Sequence, residues 1–146
     1  MEKGKMKTIK IFVEKNFPPE IVQKAECLVD CGLQGDRFAK GGEKQLTAID
    51  THTISWMESA TEKGLCFARY KANLEFENMD LSQLKSEEIL ACGNVKLQIS
   101  ATNKECFSEC VFVQSKKDCM LRKHAKYLKV LQGGTIQLNY EIYKEQ

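Results

Sequence analysis

Seven cysteines, Cys27, Cys31, Cys66, Cys92, Cys106, Cys110 and Cys119, stand in a chain of 146 residues. Cys119 stands among cations. It follows Lys116, Lys117 and Asp118 and precedes Arg122, Lys123 and His124. Neighbouring positive charge stabilises a thiolate over a thiol, and the thiolate is the nucleophile and the metal ligand. Cys119 is therefore the first candidate for chemistry, against the alternative of an idle thiol in a basic loop. The odd number excludes complete pairing within the chain, and without a secretory leader the cysteines are expected as thiols in a reducing cytosol. Cys106 and Cys110 share a three-residue spacing that Cys27 and Cys31 repeat. Structural zinc sites prefer tighter Cys-x-x-Cys pairs, and His52 and His124 lie far apart in sequence, so the spacing argues against zinc. Cys66 and Cys92 sit in apolar runs and read as small core residues.

Two further segments carry polar groups in suggestive order. Gly32-Leu33-Gln34-Gly35-Asp36-Arg37 is followed by Lys40-Gly41-Gly42-Glu43-Lys44-Gln45. Glycines let backbone amides approach an anion, and Arg37, Lys40 and Lys44 could supply charge. No Gly-Lys-Ser/Thr follows, so this is not a P-loop, and a strand rather than a helix is expected next, which excludes a dinucleotide fingerprint. An ordinary tight connection explains the same residues. In Arg69-Tyr70-Lys71-Ala72-Asn73-Leu74, the guanidinium of Arg69 and the amide of Asn73 could orient a polar ligand, or form a surface pair and a turn.

The elements that must position these residues are mostly short strands. Thr8–Val13, 26–29, 45–49 and 110–114 read as extended, and Pro18-Pro19 interrupts. Asp50 or Thr51 can cap a helix over about 53–61 that ends by Gly64. Residues 78–84 read as turns. Ile89–Cys92, Gly93-Asn94 and 95–101 make a hairpin, with Val95, Leu97, Ile99 and Ala101 alternating. The stretch 124–131 is ambiguous, but strand is favoured, with a hairpin across Gly133-Gly134 into 135–143. Seven or eight short strands with one clear helix predict a mainly β, closed or nearly closed barrel.

Composition bounds the function. Hydrophobic residues make up 42% and charged residues 29%, which fits one globular domain and excludes disorder. A net charge of +2 lacks the basic surplus of a nucleic-acid binder. The longest apolar run near the N-terminus, 9–13, is broken by Lys10, so neither a leader nor a membrane span is expected, and a cytoplasmic protein is. No flavin, haem or iron–sulfur motif is visible.

In order along the chain, these segments resemble the MOSC domain, named for the C-terminal part of molybdenum cofactor sulfurases, over about residues 22–142. Gly32 to Arg37 is similar to the family's Gly-Leu-x-Gly-Asp-Arg turn, and Gly41 to Leu46 to its Gly-Gly-x-x-Gln-Val element. Arg69 to Leu74 is similar to its Arg-Phe-x-x-Asn-Ile/Leu segment, followed by Met79-Asp80-Leu81 and Leu84. Cys106 to Cys110 resembles its Cys-x-x-x-Cys turn, and Cys119-Met120 up to Gly133-Gly134 its closing loop and hairpin. Ser86-Glu87 and Asn139-Tyr140 stand where the family often has Gly-Asp.

The resemblance implies a β-barrel and a connection to molybdenum cofactor chemistry. By motif, Cys119 becomes the molybdenum ligand or the carrier of a persulfide, as proposed for small free-standing members. Arg37, Lys44, Arg69, Asn73 and Arg122 become candidates for holding the cofactor, and Cys106 and Cys110 for resolving a persulfide. Three functions are then open. A cofactor-binding or cofactor-handling protein, with reductase activity as a special case, predicts binding that depends on Cys119. A sulfur carrier, with sulfurtransferase-like activity, predicts added sulfur on Cys119 supplied by a cysteine desulfurase. A non-catalytic module that docks cofactor-synthesis proteins predicts that Cys119 is dispensable. Both chemical functions require Cys119 to reach a pocket or solvent.

Overall fold

The fold was obtained as a computed structural model that describes residues 3–60, 64, 72–100, 110–115 and 119–145. Arg69, Cys66 and Cys106 lie outside the described residues.

The strands are β1 (Lys3–Ile11), β2 (Glu20–Val22), β3 (Lys24–Leu28), β4 (Gly32–Leu33), β5 (Leu46–Asp50), β6 (Leu74–Glu77), β7 (Ile89–Cys92), β8 (Val95–Ile99), β9 (Lys126–Gln132), β10 (Gly134–Gln137) and β11 (Glu141–Lys144). Seven of them close a barrel in the order β11-β7-β8-β9-β5-β6-β1, with β1 returning to β11 and β2 added outside β1. A second sheet, β10-β3-β4, flanks it. Closure removes the open edge that a seven-stranded sheet would otherwise expose. The expectation of a mainly β, closed barrel is met.

Alternation explains the strands. In β8, Val95, Leu97 and Ile99 are buried while Lys96 and Gln98 are not, and Cys92 faces Val95 across the Gly93-Asn94 turn, as expected for that hairpin. In β1 the buried positions run Gly4, Met6, then Ile9, Ile11. The change of phase coincides with a register shift between Met6 and Thr8 against β6, where one extra residue returns the later side chains to the core. The barrel interior holds Met6, Leu74, Phe76, Leu97, Leu128 and Ile142 among others. A smaller cluster of Ile49, Ala72, Cys110, Cys119, Leu121 and Ala125 packs against Ile54, Trp56 and Met57.

Helices sit outside the barrel. α1 (Thr51–Ser59) starts at Asp50, whose side chain accepts from the Thr53 amide, so the expected cap is present. It stops at Ser59, with the Ala60 amide bonded to Trp56 O, several residues before Gly64. Residues Leu81–Gln83 form a 3-10 turn capped by Asp80. Among the described residues no helix is long and apolar enough to cross a membrane.

Two local expectations are overturned. The run 110–114 is not a strand: Val111–Gln114 is helical, α2, with Gln114 N–H donating to Cys110 O and Ser115 N–H to Val111 O. A short apolar run has no period long enough to separate helix from strand, and this one packs toward α1. The strand favoured for 124–131 is present as β9 from Lys126, after a short helix, α3, over Met120–His124. The hairpin across Gly133-Gly134 does not form. β9 pairs with β8 and β5, whereas β10 pairs with β3. Gly133 passes so close to β3 that a Cβ would lie 2.7 Å from Cys27 O, and only glycine permits that crossing. The segment 135–143 then divides at Asn139, where φ is 70°, and β11 leaves to close the barrel.

Candidate functional site

The glycine-rich loop is tied into the fold. The amides of Gln34, Asp36, Arg37, Ala39, Lys40 and Gly41 all donate to protein carbonyls. Gly32 has φ +143°, and a Cβ there would meet Gln45 O at 2.6 Å. Asp36 is buried, and its Oδ1 accepts from Phe12 N at 2.8 Å and from Asn73 Nδ2 at 3.1 Å. Burial pushes the Asp36 carboxyl pKa up against these bonds. Asn73, 1% exposed, also donates to Lys10 O and accepts from Thr47 N. One amide thus joins β1, the loop and β5. Gln45 acts similarly, donating to Gly42 O and accepting from Val130 N. Arg37 lies over the Phe38 ring, 4.2 Å from its centroid, and its buried Nε has no bonding partner among the described residues. Lys44 Nζ stands 5.1 Å from the Tyr127 ring centroid.

Cys119 precedes α3 in an extended conformation, with φ −114° and ψ 115°. It is 5% exposed and shares the small apolar cluster with Cys110, also 5% exposed. Arg122 is exposed on α3. The structure therefore places Cys110 and Cys119 in one apolar cluster, and joins Asn73 to Asp36 in a separate network. Cys27 and Cys92 lie in the barrel core, where burial pushes their thiols up to about 12 and about 11. Such thiols are inert near neutral pH.

A cavity of about 660 Å³ opens beside α1 and α3, lined by Asp50, Thr51, His52, Ser55, Asn78, Met79, Asp80 and His124. Both histidines of the chain line it, although His52 and His124 stand 72 positions apart in sequence. His124 Nδ1 lies 2.6 Å from Asp50 Oδ2 and 3.5 Å from Asp80 Oδ1. Asp50, 2% exposed, accepts from Thr53 N and Oγ1 at one oxygen, and from Leu81 N at the other. Burial alone would raise its pKa, but the bonds from His124 and Thr53 outweigh it and hold the carboxyl below its ordinary value. Asp80 is also held low, chiefly by the Ser82 hydroxyl. Lys126 stands near enough to feel Asp80, while burial pulls its pKa down.

Sequence reasoning saw Asp50 only as a helix cap and set the histidines aside for their separation. Their meeting depends on α3, a helix that the ambiguous stretch after Cys119 concealed.

The MOSC domain model matches residues 35–143, well over half of the chain, and the chain belongs to the MOSC domain family. That family is commonly associated with molybdenum cofactor binding. Among solved structures, the YuaD protein of Bacillus subtilis superposes with a TM-score of 0.67 at 16% identity, covering 99% of this chain and 97% of that one. YiiM of Geobacillus stearothermophilus gives 0.64 at 17%, covering 97% and 75%, and YiiM of Escherichia coli 0.60 at 16%, covering 97% and 70%. These likenesses establish the shared fold. No protein of curated function matches the sequence.

The cofactor that the family implies joins a thiophilic metal to an anionic pterin phosphate. The Cys119 thiol fits the metal by donor chemistry. The cavity does not fit the phosphate, because Asp50 and Asp80 line it with negative charge.

Proposed function

We propose that this MOSC protein handles the molybdenum cofactor with Cys119 as the sulfur ligand to the metal. The observation that carries the proposal is the placement of Cys119 at the start of α3, clustered with Cys110 and followed by the exposed Arg122, within a chain that matches the family over 35–143. Bound there, the cofactor would supply two-electron oxygen-atom or sulfur chemistry. The protein's share is to present one thiolate and to exclude water from it, which the apolar neighbours Ile49, Leu121 and Ala125 do. Cys119 is 5% exposed and does not line the described cavity, so binding requires this cluster to part around α3. Arg37, Lys44, Arg69 and Arg122 are the candidate cations for the phosphate. Asn73 contributes by holding β1, β5 and the glycine-rich loop in place.

Anaerobic incubation with the isolated cofactor tests this. Wild type should retain molybdenum and pterin through gel filtration, and Cys119→Ser should lose both. Equal retention by the two proteins would remove Cys119 from the centre of the site.

The meeting of Cys110 and Cys119 favours a second function, a sulfur carrier. The Cys119 thiolate would attack the outer sulfur of a donor persulfide, such as that of a cysteine desulfurase, forming a new S–S bond as the donor thiolate leaves. Cys110, or Cys106, could then resolve the persulfide. Failure of wild type to retain cofactor, with one sulfur added to Cys119 by a desulfurase, would establish this function in place of the first. If Cys119→Ser left both chemistries and partner binding unchanged, the docking-module function would stand.

A further inference from the structure

Two ionised carboxylates converge on one imidazole nitrogen at the wall of the cavity. They come from three separate pieces of chain: the end of β5, the cap of the 3-10 turn and the end of α3. One donor atom from each of Asp50, Asp80 and His124 can be chosen so that all lie within 4.8 Å of one another. Donors bound to one zinc-class ion stand about 3 Å apart, so the 2.6 and 3.5 Å separations at Nδ1 already bracket that value. Asp80 Oδ1 also accepts from the Ser82 amide and hydroxyl, which fix the carboxylate beside His124.

We propose that Asp50, Asp80 and His124 bind a divalent first-row metal ion, with two carboxylate oxygens and one imidazole nitrogen as donors. The ion takes the place of the proton between His124 Nδ1 and Asp50 Oδ2, and that proton passes to Nε2. Asp50 Oδ1 keeps its bonds to Thr53, so α1 keeps its cap. Oxygen and imidazole donors without thiolate select Mn²⁺, Fe²⁺, Co²⁺ or Zn²⁺ over soft ions. Three protein donors leave positions open toward the cavity, where His52 and Ser55 also stand. An open position on a cation takes water or an oxyanion, and the ion neutralises the charge that otherwise repels anions from this cavity.

Mn²⁺ is the probe of choice, because the many thiols of this chain bind it poorly. Chelator-treated full-length protein is titrated with Mn²⁺, and the loss of the aqueous ion's electron paramagnetic resonance signal reports binding. Wild type should bind one ion per chain, with Asp80→Asn and His124→Gln at least about tenfold weaker. Asparagine can still cap the Ser82 turn, so Asp80→Asn decides alone if His124→Gln does not fold. No binding by wild type, or undiminished binding by a folded variant of either residue, would overturn the proposal: the three side chains would then be a metal-free ion pair. Cys119→Ser should bind Mn²⁺ like wild type, so this site and the Cys119 function can fail separately.

Discussion

Asp50 fixes three parts of the chain with one carboxylate: the first turn of α1, the Leu81 amide of the 3-10 turn, and His124 at the end of α3. Asp50→Ala removes a helix cap and leaves buried donors without partners, at a cost of about 2–4 kcal/mol measured by urea unfolding. The pH dependence has a definite sign. The folded pKa of Asp50 lies below its unfolded value, so its contribution is present above about pH 4 and is lost as pH falls further. Wild type should therefore lose more stability between pH 5 and pH 3, values chosen as roughly spanning that range, than Asp50→Asn does. Asn73→Ala leaves the Thr47 amide and the Lys10 carbonyl without their side-chain partner and removes one of the bonds to Asp36, and should cost about 2–4 kcal/mol. An Asn73 whose only part was to touch cofactor would show a binding defect with unchanged stability.

Among the elements, turns with left-handed residues are the weak points. Glu87 has φ 73° and Asn139 φ 70°, in the two turns where the family often has Gly-Asp. An exposed glutamate gains nothing from that conformation, so Glu87→Gly should raise stability by about 0.5–1 kcal/mol, read as a higher urea midpoint. An unchanged or lower midpoint would count against strain there. The same elements show what the sequence could tell. The β7–β8 hairpin was legible because Val95, Leu97 and Ile99 alternate beside a Gly-Asn turn. The α1 cap was legible because Asp50 precedes a polar-rich start. α2 was not, since the four apolar residues 110–113 carry no distinguishing period. The β9–β10 hairpin failed because paired glycines signal a turn but not which strand comes next. Cys119 was singled out by its cations and its motif; its burial was not legible, because that depends on α1 and α3 packing together. The cavity was missed because His124 and Asp50 are 74 residues apart.

For the whole molecule, closure is the organising fact. β11 pairs with β1 on one side and β7 on the other, and Ile142 fills the interior between them. An exposed ion pair between Lys3 and Glu141 and a half-buried one between Lys144 and Glu88 border the same seam, and the exposed one adds little beside that burial. Ile142→Ala should cost about 2–5 kcal/mol and, if the barrel is one cooperative unit, shift a single urea transition without splitting it. Two transitions would show that the seam opens separately.

The seam and the core hold the platform, and Cys119 is the residue proposed to act on it. X-ray absorption at the molybdenum edge, on cofactor-loaded wild type and on the free cofactor, tests that claim most directly. One more sulfur neighbour on molybdenum in the protein than in the free cofactor is the predicted result. The same sulfur count in both samples would contradict Cys119 as the ligand.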